Sequence, residues 1–160
     1  MRITDQYFWN IVFLIFFLVV VFMGVVILDS EAYKTYEELA LVDFVLVTLA
    51  SFRLIRLFTY DKIFAFLREQ FYNTVEKGGE VYLLKPEKGP RRTLADLLSC
   101  PWCFGVWATA TVLFFYLLTP YALFPVLLLA LSGVASMLQI TANLIGHKAE
   151  GAKKDNEGRL

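Results

Sequence analysis

Apolar positions along this chain run in long unbroken blocks. The first, Phe8–Leu28, holds 21 residues and no charge. At about 1.5 Å of helix rise per residue it reaches roughly 31 Å, enough for a hydrocarbon core of about 30 Å. It is longer than the roughly 7–15 apolar residues of a signal peptide. Ile27-Leu28-Asp29-Ser30 also offers no small-residue cleavage site, so a retained helix is expected. The second block, Leu39–Leu57, is interrupted only by Asp43, Arg53 and Arg56, which lie toward its ends. There Asp43 can reach one interface and the arginines can snorkel to the other. The third block carries no formal charge from Leu97 to Gly146. It is too long for one helix and suits two, with the break at Thr119-Pro120-Tyr121 and Pro125 tolerated in the next first turn.

The pattern predicts an all-α polytopic membrane protein. One helical membrane domain is expected over 1–146, with four transmembrane helices at about 8–28, 39–57, 101–118 and 121–145. Of the fifteen Lys and Arg residues, fourteen fall before the first block, in the long 58–100 connection with the adjoining end of the second block, or after residue 145. Only Lys34 falls on the other side. Cytoplasmic loops are enriched in Lys and Arg. Both termini and the 58–100 loop are therefore expected in the cytoplasm, and the acidic loop 29–38 outside.

Within the long loop, Ile63, Phe64, Leu67, Phe71 and Val75 share one arc at helical spacing, predicting an amphipathic cytoplasmic helix over 61–76. Asp61 would cap it and Gly78-Gly79 would end it. Such a helix lies in the headgroup plane or packs on the bundle. Val81–Leu84 reads as extended, and Lys85–Arg92 as a turn-rich basic stretch, a solvated loop that also suits an anionic leaflet. Thr93 with Asp96 resembles a capping box opening a short helix, Leu94–Ser99. The polar tail 147–160 is expected to be disordered.

Composition changes this picture little. The 160 residues are 58% hydrophobic and 19% charged, with zero net charge and a mean hydropathy of +0.60. These values exclude a disordered chain and a disulfide-rich secreted scaffold. Zero net charge without an aromatic-interleaved basic surface argues against nucleic-acid binding. The expected partners are the lipid bilayer and a second copy of the chain. No small-molecule substrate is identified.

Chemistry has few places to reside. The two cysteines form Cys100-Pro101-Trp102-Cys103. A pair three positions apart at a helix start can close a small disulfide ring, and the helix dipole lowers the first thiol's pKa. A membrane thiol oxidoreductase would use Cys100 and Cys103 in this way. Such proteins usually carry a second cysteine pair and act on the outer side. Here there is no second pair, and the motif is predicted to face the reducing cytoplasm. Reduced, structurally supportive thiols are expected. Pro101 would then stand at the first helical position, Trp102 at the interface, and Ser99 at the end of the preceding helix. No metal is expected, since zinc needs four ligands; Cys100 and Cys103 could contribute only to a site shared in a dimer. Arg53 and Arg56 are candidates for binding lipid phosphate or a nearby carboxylate such as Asp61 or Asp96. Small residues Gly105, Ala108, Thr109 and Ala110, and Ser132, Gly133, Ala135 and Ser136, offer close helix packing. There is no P-loop, no H-E-x-x-H and no G-x-S-x-G, and with a single His, catalysis and cofactors are not expected.

Three stretches together carry a resemblance. They are Ala50-Ser51-Phe52-Arg53-Leu54-Ile55-Arg56-Leu57 with Tyr60-Asp61, then Leu97-Leu98-Ser99-Cys100-Pro101-Trp102-Cys103-Phe104-Gly105-Val106-Trp107, then Leu131-Ser132-Gly133-Val134-Ala135-Ser136. In this order they resemble a family of small bacterial and phage integral membrane proteins of unknown function that includes a sporulation membrane protein. The resemblance covers roughly Leu39–Ile145 and leaves the first apolar block as an extra element. It implies an α-helical module of the bacterial cytoplasmic membrane and adds no reaction. The expected role is a non-catalytic envelope or assembly factor related to sporulation. The alternatives are a thiol redox protein using Cys100 and Cys103, and a small holin-like pore-forming oligomer.

Overall fold

Among the described residues the chain forms six α-helices and one hairpin: α1 Ile3–Glu31, α2 Leu41–Thr59, α3 Ala65–Glu69, β1 Asn73–Lys77, β2 Glu80–Leu84, α4 Pro90–Ser99, α5 Pro101–Leu118 and α6 Leu123–Glu157. The computed structural model describes the backbone of residues 3–77 and 80–157 and the side chains of 6–76 and 82–151. Three of its helices, α1, α5 and α6, are long and apolar enough to cross a membrane. Helix α2 is long enough, but carries the charges of Asp43, Arg53 and Arg56.

The core lies where α2, α5 and α6 meet. Val47 and Ala50 of α2, Val112 and Tyr116 of α5, and Val126 and Ala130 of α6 are buried together, flanked by Leu46, Leu49, Leu113 and Leu129. Ala50 and Gly133 let α2 and α6 approach closely: Ala50 is fully buried, and a Cβ on Gly133 would stand 2.8 Å from the Leu49 carbonyl oxygen. Gly105 plays a milder part between α5 and Ile55 of α2. These small residues serve packing within the bundle. Helix α1 lies outside this core, against α5 and α4, with Phe16 and Phe17 on the Trp107 ring. Its remaining faces expose Phe8, Ile11, Ile15, Leu18 and Phe22. So large an apolar surface marks contact with lipid or another protein.

The α5–α6 break follows from its residues. Thr119 is extended, its hydroxyl accepts the Tyr121 N–H, and Pro120–Ala122 forms a 3-10 turn before α6 begins. Pro125 then falls in the first turn of α6, where its missing N–H leaves no carbonyl unpaired. Hydroxyls along the apolar helices bond back to their own backbone, Thr111 to Trp107, Ser136 to Ser132 and Thr141 to Met137. That satisfies them within their own helix, without an outside partner.

Four expectations are corrected. The chain is not all-α: β1 and β2 pair antiparallel, with Thr74 opposite Leu83 and Val75 opposite Tyr82. The helix expected over 61–76 is a 3-10 turn at Lys62–Phe64 and the five-residue α3, ending before Phe71 and Val75. β-Branched Thr74 and Val75 gain more from a paired strand, which also satisfies their backbone groups. Gly78-Gly79, expected to stop that helix, lie outside the described residues. Thr93 does not cap a helix, because α4 already begins at Pro90 after Gly89, whose φ of +95° only glycine adopts without strain. Finally, α6 continues through Glu157 where a disordered tail was expected. Ala, Lys and Glu propagate a helix that needs no new nucleation.

The close approach at Gly133 is testable. Gly133→Ala should lower stability by about 1–3 kcal/mol, because the Leu49 backbone cannot yield as a side chain would. Gly146→Ala, where an added Cβ meets nothing, is the control. Thermal unfolding in detergent compares them, and equal melting of the two variants contradicts the close α2–α6 contact.

Candidate functional site

Polar chemistry gathers at the two ends of the bundle. At one end, Asp43 stands in the first turn of α2 with one carboxylate oxygen on its own helix start, accepting the Ala40 N–H at 2.8 Å. The same oxygen takes the Lys34 ammonium at 2.7 Å, and the other accepts the Tyr116 hydroxyl of α5. Lys34 also lies over the Tyr116 ring at 5.6 Å. The backbone N–H groups of Tyr33 and Lys34 donate to the Leu117 carbonyl, at 2.9 and 3.1 Å. The loop after α1 is thus clasped onto the ends of α2 and α5.

At the other end, Arg53 donates from Nε to Ser132 Oγ of α6 at 2.9 Å and from Nη1 to the Asp61 carboxylate at 3.0 Å. Asp61 occupies the cap position of the 3-10 turn, but its carboxylate goes to Arg53 and not to the turn's N–H groups. Arg56 lies over the rings of Tyr60 and Phe52 at 5.4 and 6.0 Å, and its buried Nε has no hydrogen-bond partner. The structure thus separates the two arginines: Arg53 ties α2 to α6, and Arg56 is held by aromatic faces. Arg68 of α3 caps the same corner, donating to the Phe58 and Asp61 carbonyls. The stacked rings of Phe58 and Phe64, 4.4 Å apart, pack α3's neighbourhood on the bundle.

The Cys100–Cys103 motif stands beside this end. Cys100 caps α5, Pro101 takes the first helical position, and the Cys103 N–H donates to Cys100 Sγ at 3.2 Å. The two sulfurs, expected as thiols, are joined as a disulfide across the first turn. Among the described residues, no three His, Cys, Asp or Glu side chains come together as a ligand set. Trp102 projects outward, 87% exposed.

Beside the disulfide, α1, α4 and α5 line an open cavity of about 650 Å³. One part is polar: Asn10, Thr93, Lys85, Asp96 and Ser99. The rest is apolar: Phe13, Leu14, Phe17, Val106 and Trp107. The Thr93 hydroxyl accepts from Gln6 Nε2 at 2.8 Å and donates to Asn10 at 3.3 Å, which docks α1 on α4. Lys85 reaches back from β2's end to Asp96 at 2.9 Å and Ser99 at 2.8 Å, while Arg92 takes the second Asp96 oxygen at 2.8 Å. Burial alone would raise the Asp96 carboxyl; hydrogen bonds from Lys85 and Arg92, with their charges, outweigh it and lower the pKa.

Sequence reasoning missed Lys34, Tyr116, Asn10 and Lys85 as parts of these clusters. Their partners lie up to 83 positions away, as Asn10 does from Thr93, and no local pattern signals such pairing. The Asp43 clasp is testable. Asp43→Ala should destabilise by about 1–3 kcal/mol, because the buried Tyr116 hydroxyl is left without a partner. Adding Tyr116→Phe should recover part of that loss in a double-mutant cycle, whereas strictly additive losses contradict the bond.

The chain is 37% identical over 101 residues to "Sporulation protein YjcA" of Bacillus subtilis (strain 168), covering 59% of this chain and 86% of the relative. It is 33% identical over 117 residues to "UPF0713 protein YngL" of the same organism, covering 70% of this chain and 86% of that one. No solved structure matches it. Residues 46–142, which hold Arg53, Arg56, the hairpin, the cysteine pair and Ser132, match the model of a family described as "Protein of unknown function (DUF1360)", and the chain belongs to that family.

Proposed function

We propose that the chain is a four-span protein of the bacterial cytoplasmic membrane that acts as a non-catalytic envelope or assembly factor in sporulation. The distribution of charge on α2 carries this reading. Its carboxylate and its arginines are held at opposite ends, Asp43 by Lys34 and Tyr116, Arg53 by Asp61 and Ser132. Between them lie Phe44–Phe52 with no charge, so α2 suits a bilayer interior despite its composition. The exposed apolar faces of α1 and α6 face lipid, and Trp102 lies at headgroup level. The bias of fourteen basic residues to one side supports a reading with both termini and the hairpin in the cytoplasm and 32–38 outside. The relative named a sporulation protein supports the process.

A second reading is favoured by one observation: the Cys100–Cys103 disulfide borders a cavity. A disulfide open to attack exchanges with a partner dithiol, which is oxidised to its own disulfide as Cys100 and Cys103 become thiols.

Two experiments decide. Reporter fusions at Leu160 and within Pro86–Arg91 should read cytoplasmic, and one at Tyr33 external; Leu160 and Tyr33 on the same side would refute four spans. Deleting the gene in its own bacterium should lower the heat-resistant spore count several-fold while growth is unaffected, and an unchanged count removes the sporulation role. Complementation with the Cys100→Ser, Cys103→Ser double variant should restore the count. Failure to restore it, at a normal level of protein in the membrane, promotes thiol chemistry.

A further inference from the structure

We infer that the cavity between α1, α4 and α5 binds one anionic phospholipid, its headgroup at Lys85 and one acyl chain along Phe13, Phe17 and Trp107. The site rests on the membrane reading and is independent of the sporulation role. Its polarity is graded in one direction. At the level of α4 and the starts of α1 and α5 it presents an ammonium, a carboxylate, hydroxyls and the Asn10 amide; deeper along α1 and α5 it presents only aromatic and aliphatic groups. That order matches a lipid, charged at the interface and apolar toward the bilayer centre.

Charge selects the class. Lys85 and Asp96 line this mouth, and Arg92 reaches Asp96 from beside it, so two cations stand here against one carboxylate. Lys88 borders a smaller cavity of about 340 Å³ with Phe8 and Trp9 of α1. Lys85 spends two of its three N–H donors on Asp96 and Ser99, which leaves one for a phosphate oxygen. The Asp96 carboxylate is already satisfied on both oxygens, by Lys85 and Arg92, so it opposes an anion less than a free carboxylate would.

Phe17 and Trp107 also line a second cavity of about 490 Å³ farther along the α1–α5 seam, where Gly24 faces Phe114. An acyl chain leaving the first cavity meets the second without crossing polar groups. Helix α1 touches the bundle through polar contacts at its two ends, Gln6 and Asn10 to Thr93 and the following Tyr33 and Lys34 to Leu117, and between them through Phe16 and Phe17 on Trp107. The seam between these points is where a chain would lie.

The full chain, purified in mild detergent, is offered equal dioleoylphosphatidylglycerol and dioleoylphosphatidylcholine, and retained lipid is measured by native mass spectrometry. Wild type should retain the glycerol lipid several-fold more. Lys85→Glu should abolish the preference, and Lys148→Glu, on the exposed end of α6, should leave it intact. Val106→Trp, which narrows the apolar part, should reduce retention of both lipids; circular dichroism confirms that each variant is folded. Equal retention by wild type, a preference that survives Lys85→Glu, or displacement of the lipid by excess inorganic phosphate each overturns the site. Protein that stays soluble and monodisperse without detergent refutes the membrane reading instead, and the two failures are thereby distinguished.

Discussion

Neutralising the charges of α2 is the constraint on which the rest of the structure depends. α2 stands at the centre, packed on both α5 and α6, yet it carries a carboxylate and two guanidinium groups. An unpaired charge packed against apolar neighbours loses its hydration and is costly unless it is given partners. Asp43 and Arg53, near the two ends of α2, are therefore given partners from elsewhere in the chain, while Arg56 lies over Phe52 and Tyr60 beside it. Asp43 draws in Lys34 from the preceding loop and Tyr116 from α5; Arg53 draws in Asp61 from the following turn and Ser132 from α6. Those partners fix the vertical register of α5 and α6 against α2, because a slip of one turn would break a bond at each end. The apolar stretch between them is then free to pack by shape, with Ala50 and Gly133 at the closest approach.

Helix α1 obeys a different logic. It contributes Leu28 to the buried set but otherwise stays at the periphery, held by polar contacts at its ends and by rings on Trp107. The matched family region begins at residue 46, inside α2, so α1 and the loop that supplies Lys34 precede it. The clasp on Asp43 is thus partly made by residues outside the matched region, while the Arg53 ties lie wholly within it.

What was legible in the sequence was whatever depends on near neighbours. Charge-free length gave the long helices, Thr119-Pro120 their break, and Pro101 the start of α5, because these are local effects of hydrophobicity and of proline's fixed φ. The hairpin was not legible: Ile63, Phe64, Leu67, Phe71 and Val75 fit a helical arc, and only pairing with Val81–Leu84 makes Val75 a strand residue. Thr93 and Asp96 were misread for the same reason. Their spacing satisfies a cap, but Thr93 is claimed by Gln6 and Asn10 of α1, and Asp96 by Lys85 and Arg92. The cavity could not be read at all, since its walls come from three separated segments.

The Ser99–Cys103 stretch shows why a short motif here resists assignment to one role. Every residue in it supports the α4–α5 junction. Ser99 ends α4 by bonding back to Ala95 while accepting from Lys85. Cys100 is extended and caps α5, Pro101 presets its first turn, and Trp102 points outward. Cys103 lies one turn from Cys100, and its N–H, among those a helix start leaves unpaired, is taken by the Cys100 sulfur. A hydroxyl could cap as well, so the need for a cap explains a polar atom at position 100 but not a second sulfur at 103. That second sulfur closes the disulfide, and both sulfurs line the cavity. The junction needs its turn for the fold, whereas the choice of two sulfurs for that turn is the part that structure alone does not require, and any chemistry the motif performs must act there.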